Sequence, residues 1–151
     1  MQLYLLRHGI AEQKSASGRD ADRRLTPAGA SALRDTLKRV DASPEAIVSS
    51  PYVRAIETAR IASELLGYTG VVLTSSALCP EAAPVELWGE VRTLGPVSSI
   101  LLVSHEPLLS AAASWMLGET GVVVRFDPGT IICLDVASAG PRPRGVMQRR
   151  L

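Results

Sequence analysis

The sequence of 151 residues predicts an α/β domain built on a mostly parallel sheet, and three observations carry that prediction. Short apolar runs alternate with longer segments whose apolar residues recur at three- and four-residue spacing, the pattern of strands alternating with amphipathic helices. The first run, Leu3 to Leu6, is continuously apolar, as expected of a strand covered on both faces. Proline or glycine marks most of the switches between the two kinds of segment.

In order along the chain, Leu3 to Leu6 is the first strand and the polar stretch from Glu12 to Arg24 is a loop, with Ser15, Ser17, Gly18 and Asp20 breaking any period. Thr26-Pro27 opens a helix, with Thr26 as N-cap and Pro27 at the first helical position. Ala30, Leu33, Leu37 and Val40 give that helix one buried face. Ala46 to Val48 is a second strand. Ser50-Pro51 repeats the cap-plus-proline signal ahead of a helix whose stripe is Tyr52, Ala55, Ile56, Ala59, Ala62 and Leu66, with Gly67 ending it. Val71 to Leu73 is a third strand and Ser75 to Ala83 a loop. A helix follows from Pro84 to Leu94, stopped by Gly95-Pro96. Ile100 to Val103 is a fourth strand, and a helix runs from Pro107 to about Leu117, closed by Gly118. Val122 to Phe126 and Thr130 to Val136 read as strands on either side of Asp127-Pro128-Gly129. The Pro- and Gly-rich tail from Ala139 to Gly145 leads toward a last short edge strand. No internal repeat or interdomain linker interrupts the pattern, so residues 1–151 are expected to form a single domain.

Composition narrows the function classes. Charged residues make up 21% and hydrophobic residues 46%, a balance expected of a soluble globular chain rather than a disordered one. A formal net charge of +1 gives no general attraction to nucleic acid or to an anionic membrane. No apolar stretch approaches the ~20 residues of a membrane span, and Met1 to Leu6 is too short for a signal-peptide core. Cys79 and Cys133 form neither a metal-ligand spacing nor a redox pair. A reduced, cytoplasmic protein that acts as a monomer is the expectation.

Reactive residues gather where α/β sheets bind ligands, at the carboxyl ends of strands. Arg7, His8 and Gly9 follow strand one. Ser49, Ser50 and Arg54 follow strand two, with Arg54 in the first turn of its helix. Ser104, His105 and Glu106 follow strand four. The chain has only two histidines, and both fall on this predicted edge. A cation in a first helical turn opposes the helix dipole, and Arg54 lies off the apolar stripe, so a bound anion would turn its cost into a gain. Two arginines, two histidines and a helix N-terminus describe a pocket for a phosphate-type anion. No Asp/Glu/His cluster suggests a metal, and no cofactor is expected. The nucleophile then comes from the protein or from water, and a neutral imidazole can attack phosphorus to give a covalent intermediate. Gly9, without a side chain, lets backbone approach the phosphate.

The "RHG" at 7–9 resembles the signature of the histidine phosphatase superfamily, the phosphoglycerate mutase-like family. "SSPYVRAIETA" at 49–59 is similar to its second block, "VSHEP" at 103–107 to its third, and "LTPAG" at 25–29 to its connecting motif. These blocks come in the family's order, and the short chain most resembles the SixA-type branch, the small phosphohistidine phosphatases. The resemblance implies a three-layer α/β/α fold and assigns roles to the matched residues. His8 would be the nucleophile, transiently phosphorylated. Arg7, Arg54 and His105 would bind the phosphoryl oxygens and stabilise charge developing in the transition state, with His105 partly a cation.

The pattern is weakest at the general acid. Mutase-like members carry a glutamate in the loop after the third strand, and acid-phosphatase-like members an acid just after the second histidine. Glu81 and Glu106 stand near these two places; each is equally compatible with a solvated or helix-capping carboxylate. The SixA-type branch is thought to dispense with a strong acid, which suits a P–N bond. The implied substrate is phosphohistidine on a partner protein. The alternatives are a phosphomonoesterase or mutase for a small phosphorylated metabolite, and a phosphate-binding module without catalysis. The segments 12–24 and 75–83 are too short to predict a closing lid, which favours a protein substrate. Arg19, Arg23 and Arg24 are expected on the rim, meeting acidic residues of that partner.

Overall fold

The computed structural model describes residues 1–118, 123–137 and 143–150. Its strands are β1 (Gln2–Arg7), β2 (Ala46–Ser49), β3 (Val72–Thr74), β4 (Ser99–Ser104), β5 (Ile131–Ala137) and β6 (Arg144–Arg150). Its helices are α1 (Pro27–Leu37), α2 (Val53–Leu65), α3 (Pro84–Thr93) and α4 (Leu108–Leu117). The strands form one sheet in the order β3-β2-β4-β1-β5-β6. The first four strands in that order are mutually parallel; β5 runs antiparallel to β1 and to β6.

Two apolar clusters separate across the sheet because alternate residues of each strand point to opposite faces. Tyr4, Leu6, Ile47, Leu101 and Val103 pack with Leu33 and Leu37 of α1 and Ala55, Ala59 and Ala62 of α2. Leu3, Leu5, Val48, Ile100 and Leu102 pack with Leu87, Trp88 and Val91 of α3 and with Leu108, Leu109 and Ala112 of α4. The architecture is therefore three layers, with two helices on each face of a mostly parallel sheet.

The start of α1 forms as its sequence predicts: the Thr26 hydroxyl accepts from the Gly29 N–H at 2.9 Å, with Pro27 in the first turn. Gly29 has a second task. A Cβ there would collide with the backbone carbonyl of Ile10, so only glycine lets the helix press onto the chain leaving β1.

Three expectations change. Ser50-Pro51 does not cap α2, which begins at Val53 behind Tyr52; the Ser50 hydroxyl accepts from the Tyr52 N–H and turns to other work at the strand end. The expected strand over 122–126 does not form in its described part. Val124 and Phe126 are buried against α4 in irregular backbone, and their carbonyls are taken by the Ser110 hydroxyl and the Arg7 guanidinium rather than by a neighbouring strand; Val122 lies outside the described residues. The final strand is longer than the short edge piece expected, pairing with β5 over most of its length; of the preceding tail, 139–142 lie outside the described residues.

Candidate active site

Register builds the site. Arg7 pairs with Ser104 across β1 and β4, and Ser49 with Val103 across β2 and β4. The residues that follow, His8, Ser50 and His105, therefore leave three adjacent parallel strands at one edge. The predicted residues meet there. The His8 and His105 rings lie 5.0 Å apart between centroids, and Nε of Arg54 donates to Nε2 of His8 at 3.2 Å. His8, Arg54, Ser50 and His105 are buried, an unusual density of polar groups that the fold tolerates only for a purpose.

The tautomer of His8 follows from its neighbours. Nδ1 lies 2.7 Å from the Gly9 carbonyl, an oxygen that can only accept, so Nδ1 carries the proton. Nε2 then keeps its lone pair. Burial, and after it the nearby Arg54 and Arg7, pushes the His8 pKa down to about 4, with the Gly9 carbonyl opposing the shift. Gly9 is itself fixed, its N–H donating to the Thr58 hydroxyl at 3.2 Å. The direction of a Cβ on Gly9 faces Leu25, the Gly29 carbonyl and Leu33. The missing side chain thus makes room for α1, while the carbonyl holds the imidazole.

Without an anion in the site, its surroundings favour the neutral form of His105 over the partly cationic one expected. Burial first, and then the repulsion it would meet from a protonated His8 and from Arg54, pushes its pKa down to about 3. Its Nε2 lies 2.8 Å from the Ser50 hydroxyl, and its Nδ1 is buried with no partner. Arg7 binds the Phe126 carbonyl through Nη1 at 2.7 Å and leaves Nε buried and unpartnered. An oxyanion placed against these groups would supply partners and raise the imidazole pKa.

Arg54 is not the solvated helix cation that its position permits. Its side chain is buried beside His8 and over the Tyr52 ring, with the guanidinium carbon 5.0 Å from the ring centroid. Its outer nitrogens donate to Asp20, to the main-chain oxygen at 2.8 Å and to Oδ2 at 3.1 Å. The loop 12–24 therefore lies across the site despite its brevity, held by Asp20. That role was not visible in the sequence, where Asp20 is one polar residue among many. Tyr52, whose ring stands edge-on to His105 at 5.0 Å, was hidden in the same way by its place in an apolar stripe.

The remaining candidates stand at the margin. Glu106 faces Ser110 in the first turn of α4: one carboxyl oxygen accepts from the Ser110 N–H at 3.2 Å, and the other lies 2.5 Å from the Ser110 hydroxyl, whose single proton it shares with the Val124 carbonyl at 2.7 Å. Glu81 is exposed, and its charge reaches Tyr52 and Cys79, raising both pKa values after burial. The three rim arginines already have carboxylate neighbours in this chain: Arg19 with Asp22, Arg23 with Asp20 and Arg24 with Glu57. Their charge is balanced locally, which weakens the expected attraction for an acidic partner. Among the described residues no three His, Cys, Asp or Glu side chains gather in a metal-binding group, and no helix is long and apolar enough to cross a membrane.

The chain is similar to known proteins over most of its length. A family model described as the histidine phosphatase superfamily (branch 1) matches residues 3–77. An uncharacterized protein of Picosynechococcus sp. is 31% identical over 92% of this chain and 87% of its own length. The phosphohistidine phosphatase SixA of Escherichia coli is 29% identical over 93% of this chain and 89% of its own. A solved structure of the protein histidine phosphatase SixA complexed with tungstate superposes with a TM-score of 0.84 at 24% identity, covering 100% of this chain and 96% of that one.

Proposed function

The chain belongs to the histidine phosphatase superfamily and is of SixA type, and from that premise we propose that it removes phosphoryl groups from phosphohistidine on a partner protein, through a transient phosphohistidine on His8. The observation that carries the reading is the pairing of a neutral, tautomerically fixed His8 with the Arg7 Nε–H and the His105 Nδ1, both buried without a protein partner.

The chemistry follows from those atoms. The Nε2 lone pair of His8 attacks phosphorus, and the P–N bond of the substrate breaks with its electron pair passing to the leaving ring. Arg54, Arg7 and His105 donate to the equatorial oxygens, where charge shifts during transfer; preorganised donors of this kind are usually the largest catalytic contribution. Nδ1 of His8 keeps its proton on the Gly9 carbonyl throughout, so the phosphorylated ring stays protonated and can leave as neutral imidazole in the second step. A water then attacks phosphorus, and the P–N bond to His8 breaks in turn. Tungstate in the related SixA structure is a tetrahedral oxyanion, which supports an oxyanion as occupant here. The positive side chains of the cradle supply the charge that a metal would otherwise bring, so the proposed reaction is metal-independent. The proposal includes a monomer, one histidine phosphatase domain and a cytoplasmic location.

A turnover panel tests the reading: a phosphohistidine protein, a phosphoserine peptide, 3-phosphoglycerate and p-nitrophenyl phosphate, each with and without chelator. The expected result is the highest kcat/KM on the phosphohistidine protein, unaffected by chelator. A higher kcat/KM on phosphoglycerate would make the chain a metabolite phosphatase, and activity lost with chelator and restored by Mg²⁺ would contradict the metal-independent chemistry.

A further inference from the structure

The first step of phosphohistidine hydrolysis through His8 is a transfer from one imidazole nitrogen to another, so the leaving ring needs at its far nitrogen what His8 has at Nδ1. His8 keeps that proton by donating to the Gly9 carbonyl. A substrate ring protonated at its far nitrogen leaves as neutral imidazole when the P–N electron pair returns to it, and no acid has to deliver a proton during the step. A ring without that proton leaves as an anion, a much poorer leaving group. What the site requires is an acceptor at the mouth that keeps the substrate ring protonated.

We propose that the Asp20 carboxylate is that acceptor, and that it sets the selectivity of the site for N-phosphoryl groups on basic rings over phosphate esters with anionic leaving groups. The inference rests on the phosphohistidine reading above and adds the residue that reads the leaving group.

Asp20 is tied to the site through the side chain that faces the nucleophile. Arg54 donates at 3.2 Å to Nε2 of His8 with one nitrogen and at 3.1 Å to Oδ2 of Asp20 with another. The carboxylate thus stands one guanidinium away from the attacking atom, and the proposal places the leaving ring against it. Its other oxygen is fixed by Nη1 of Arg23 at 2.8 Å, and Arg23 is anchored in turn on the Glu12 carbonyl. The side chain is still 56% exposed, so its oxygens retain lone pairs for a substrate. It remains ionised, because the hydrogen bond from Arg23, and then that from Arg54, holds its carboxyl below the usual carboxylate range. Its charge is felt inside the cradle, where it opposes the depression of the His105 pKa.

The wall beneath suits the same ligand. Tyr52 presents an aromatic face that already carries one cation, Arg54, and a protonated imidazole can use such a face as well. A fixed negative charge here works against phosphoglycerate or any ester whose leaving group carries negative charge. It also removes the need for a general acid at Glu106, whose carboxyl oxygens face Ser110 in the first turn of α4. Glu81 is the competing carboxylate at this mouth, since its charge also reaches Tyr52, but nothing fixes it against Arg54 or His8.

The test compares preference rather than rate. Native enzyme, Asp20→Asn, Asp20→Glu and Glu81→Gln are assayed on phosphoimidazole, p-nitrophenyl phosphate and 3-phosphoglycerate, with folding checked by circular dichroism. Asp20→Asn is expected to lower the ratio of kcat/KM for phosphoimidazole to that for p-nitrophenyl phosphate by about tenfold or more, the usual size of one hydrogen bond to a charged group. It should also raise 3-phosphoglycerate relative to p-nitrophenyl phosphate. Asp20→Glu, which keeps the charge, should restore part of the ratio. An equal loss on all three substrates would mean that Asp20 only positions Arg54, and would overturn the proposal. A shifted ratio in Glu81→Gln but not in Asp20→Asn would give the role to Glu81 and overturn it as well. Native enzyme inactive on phosphoimidazole and on phosphohistidine protein alike would instead remove the phosphohistidine reading itself.

Discussion

The strand-end cradle and the loop that crosses it are held in place by different forces. In the cradle, Ser49, Ser50, Ser104 and His105 are at most 1% exposed, and their positions follow from the register of three parallel strands packed on both faces. In the loop 12–24, order comes from the bridge between Ala11 and Leu25, from backbone hydrogen bonds such as Glu12 N–H to the Arg24 carbonyl, from the Arg54 guanidinium on Asp20, and from exposed or half-exposed pairs such as Arg23–Asp20 and Arg24–Glu57. Burial against a sheet gives fixed geometry at low sensitivity to salt. Surface ion pairs give modest energies, typically below about 1 kcal/mol each, and weaken as salt rises. Under the proposed reading, the reacting groups are built on the buried strand ends, and the part assigned to the leaving group is held partly by charge.

Arg54 belongs to both regions, and losing it should have the largest effect among the residues around the nucleophile. Arg54→Ala is expected to lower kcat about 10²–10³-fold with little change in Tm, because one preorganised donor to the transition state is lost. Arg54→Lys should recover little of this, since a single ammonium cannot reach His8 and the main-chain and Oδ2 oxygens of Asp20 at once. Near-native turnover by the lysine variant would show that the guanidinium geometry is unimportant.

The buried histidines should make the cradle acid-sensitive. Both fold with pKa values depressed from 6.5, His8 to about 4 and His105 to about 3. Between those limits the unfolded chain binds protons that the folded chain does not, so stability falls as pH drops below 6.5 and the loss is complete once the folded rings protonate. Thermal melts from pH 7 to pH 4 should show a falling Tm, and the fall should be shallower in a His8→Asn/His105→Asn double variant. Identical slopes in the two proteins would mean that the rings are solvated and the cradle is open.

Arg23 probes the loop alone. Arg23→Ala frees one oxygen of Asp20 without touching His8, and is expected to cost a few-fold in kcat/KM on phosphohistidine substrate, with the native advantage shrinking at high salt. A loss as large as that of Arg54→Ala would erase the distinction between cradle and loop. Glu106→Gln should matter least. Its oxygens are engaged by Ser110, so a small and uniform effect across leaving groups is expected. A strong slowing confined to esters with poor leaving groups would identify Glu106 as an acid.

How much of this was legible in the sequence follows the same division. The strands that carry Arg7, His8, Ser50 and His105 announce themselves as continuous apolar runs, and their ends place the reactive residues. Thr26, Pro27 and the leucines of α1 are equally readable. Arg54 was found through its place in a first helical turn, but the reason it is tolerated there, the Asp20 carboxylate, lies 34 positions away. Long-range pairing of two charged residues leaves no local period. Ser50 looked like a helix cap because Ser-Pro has that signature; the structure uses its hydroxyl for the Tyr52 N–H and for His105. Val124 and Phe126 alternate like a strand, yet their carbonyls are taken by side chains, which no alternation of apolar residues can reveal.

The central claim is that His8 is the nucleophile, and trapping the intermediate tests it most directly. Native enzyme mixed with a phosphohistidine substrate labelled at phosphorus and quenched within milliseconds should yield a protein-bound phosphoryl group that is stable to alkali, labile to acid and mapped to His8. The His8→Ala variant, with unchanged Tm, should give no label and lose more than about 10⁴ in kcat, as removal of a nucleophile typically does. Label at another residue, or turnover by His8→Ala near the native rate, would contradict the account.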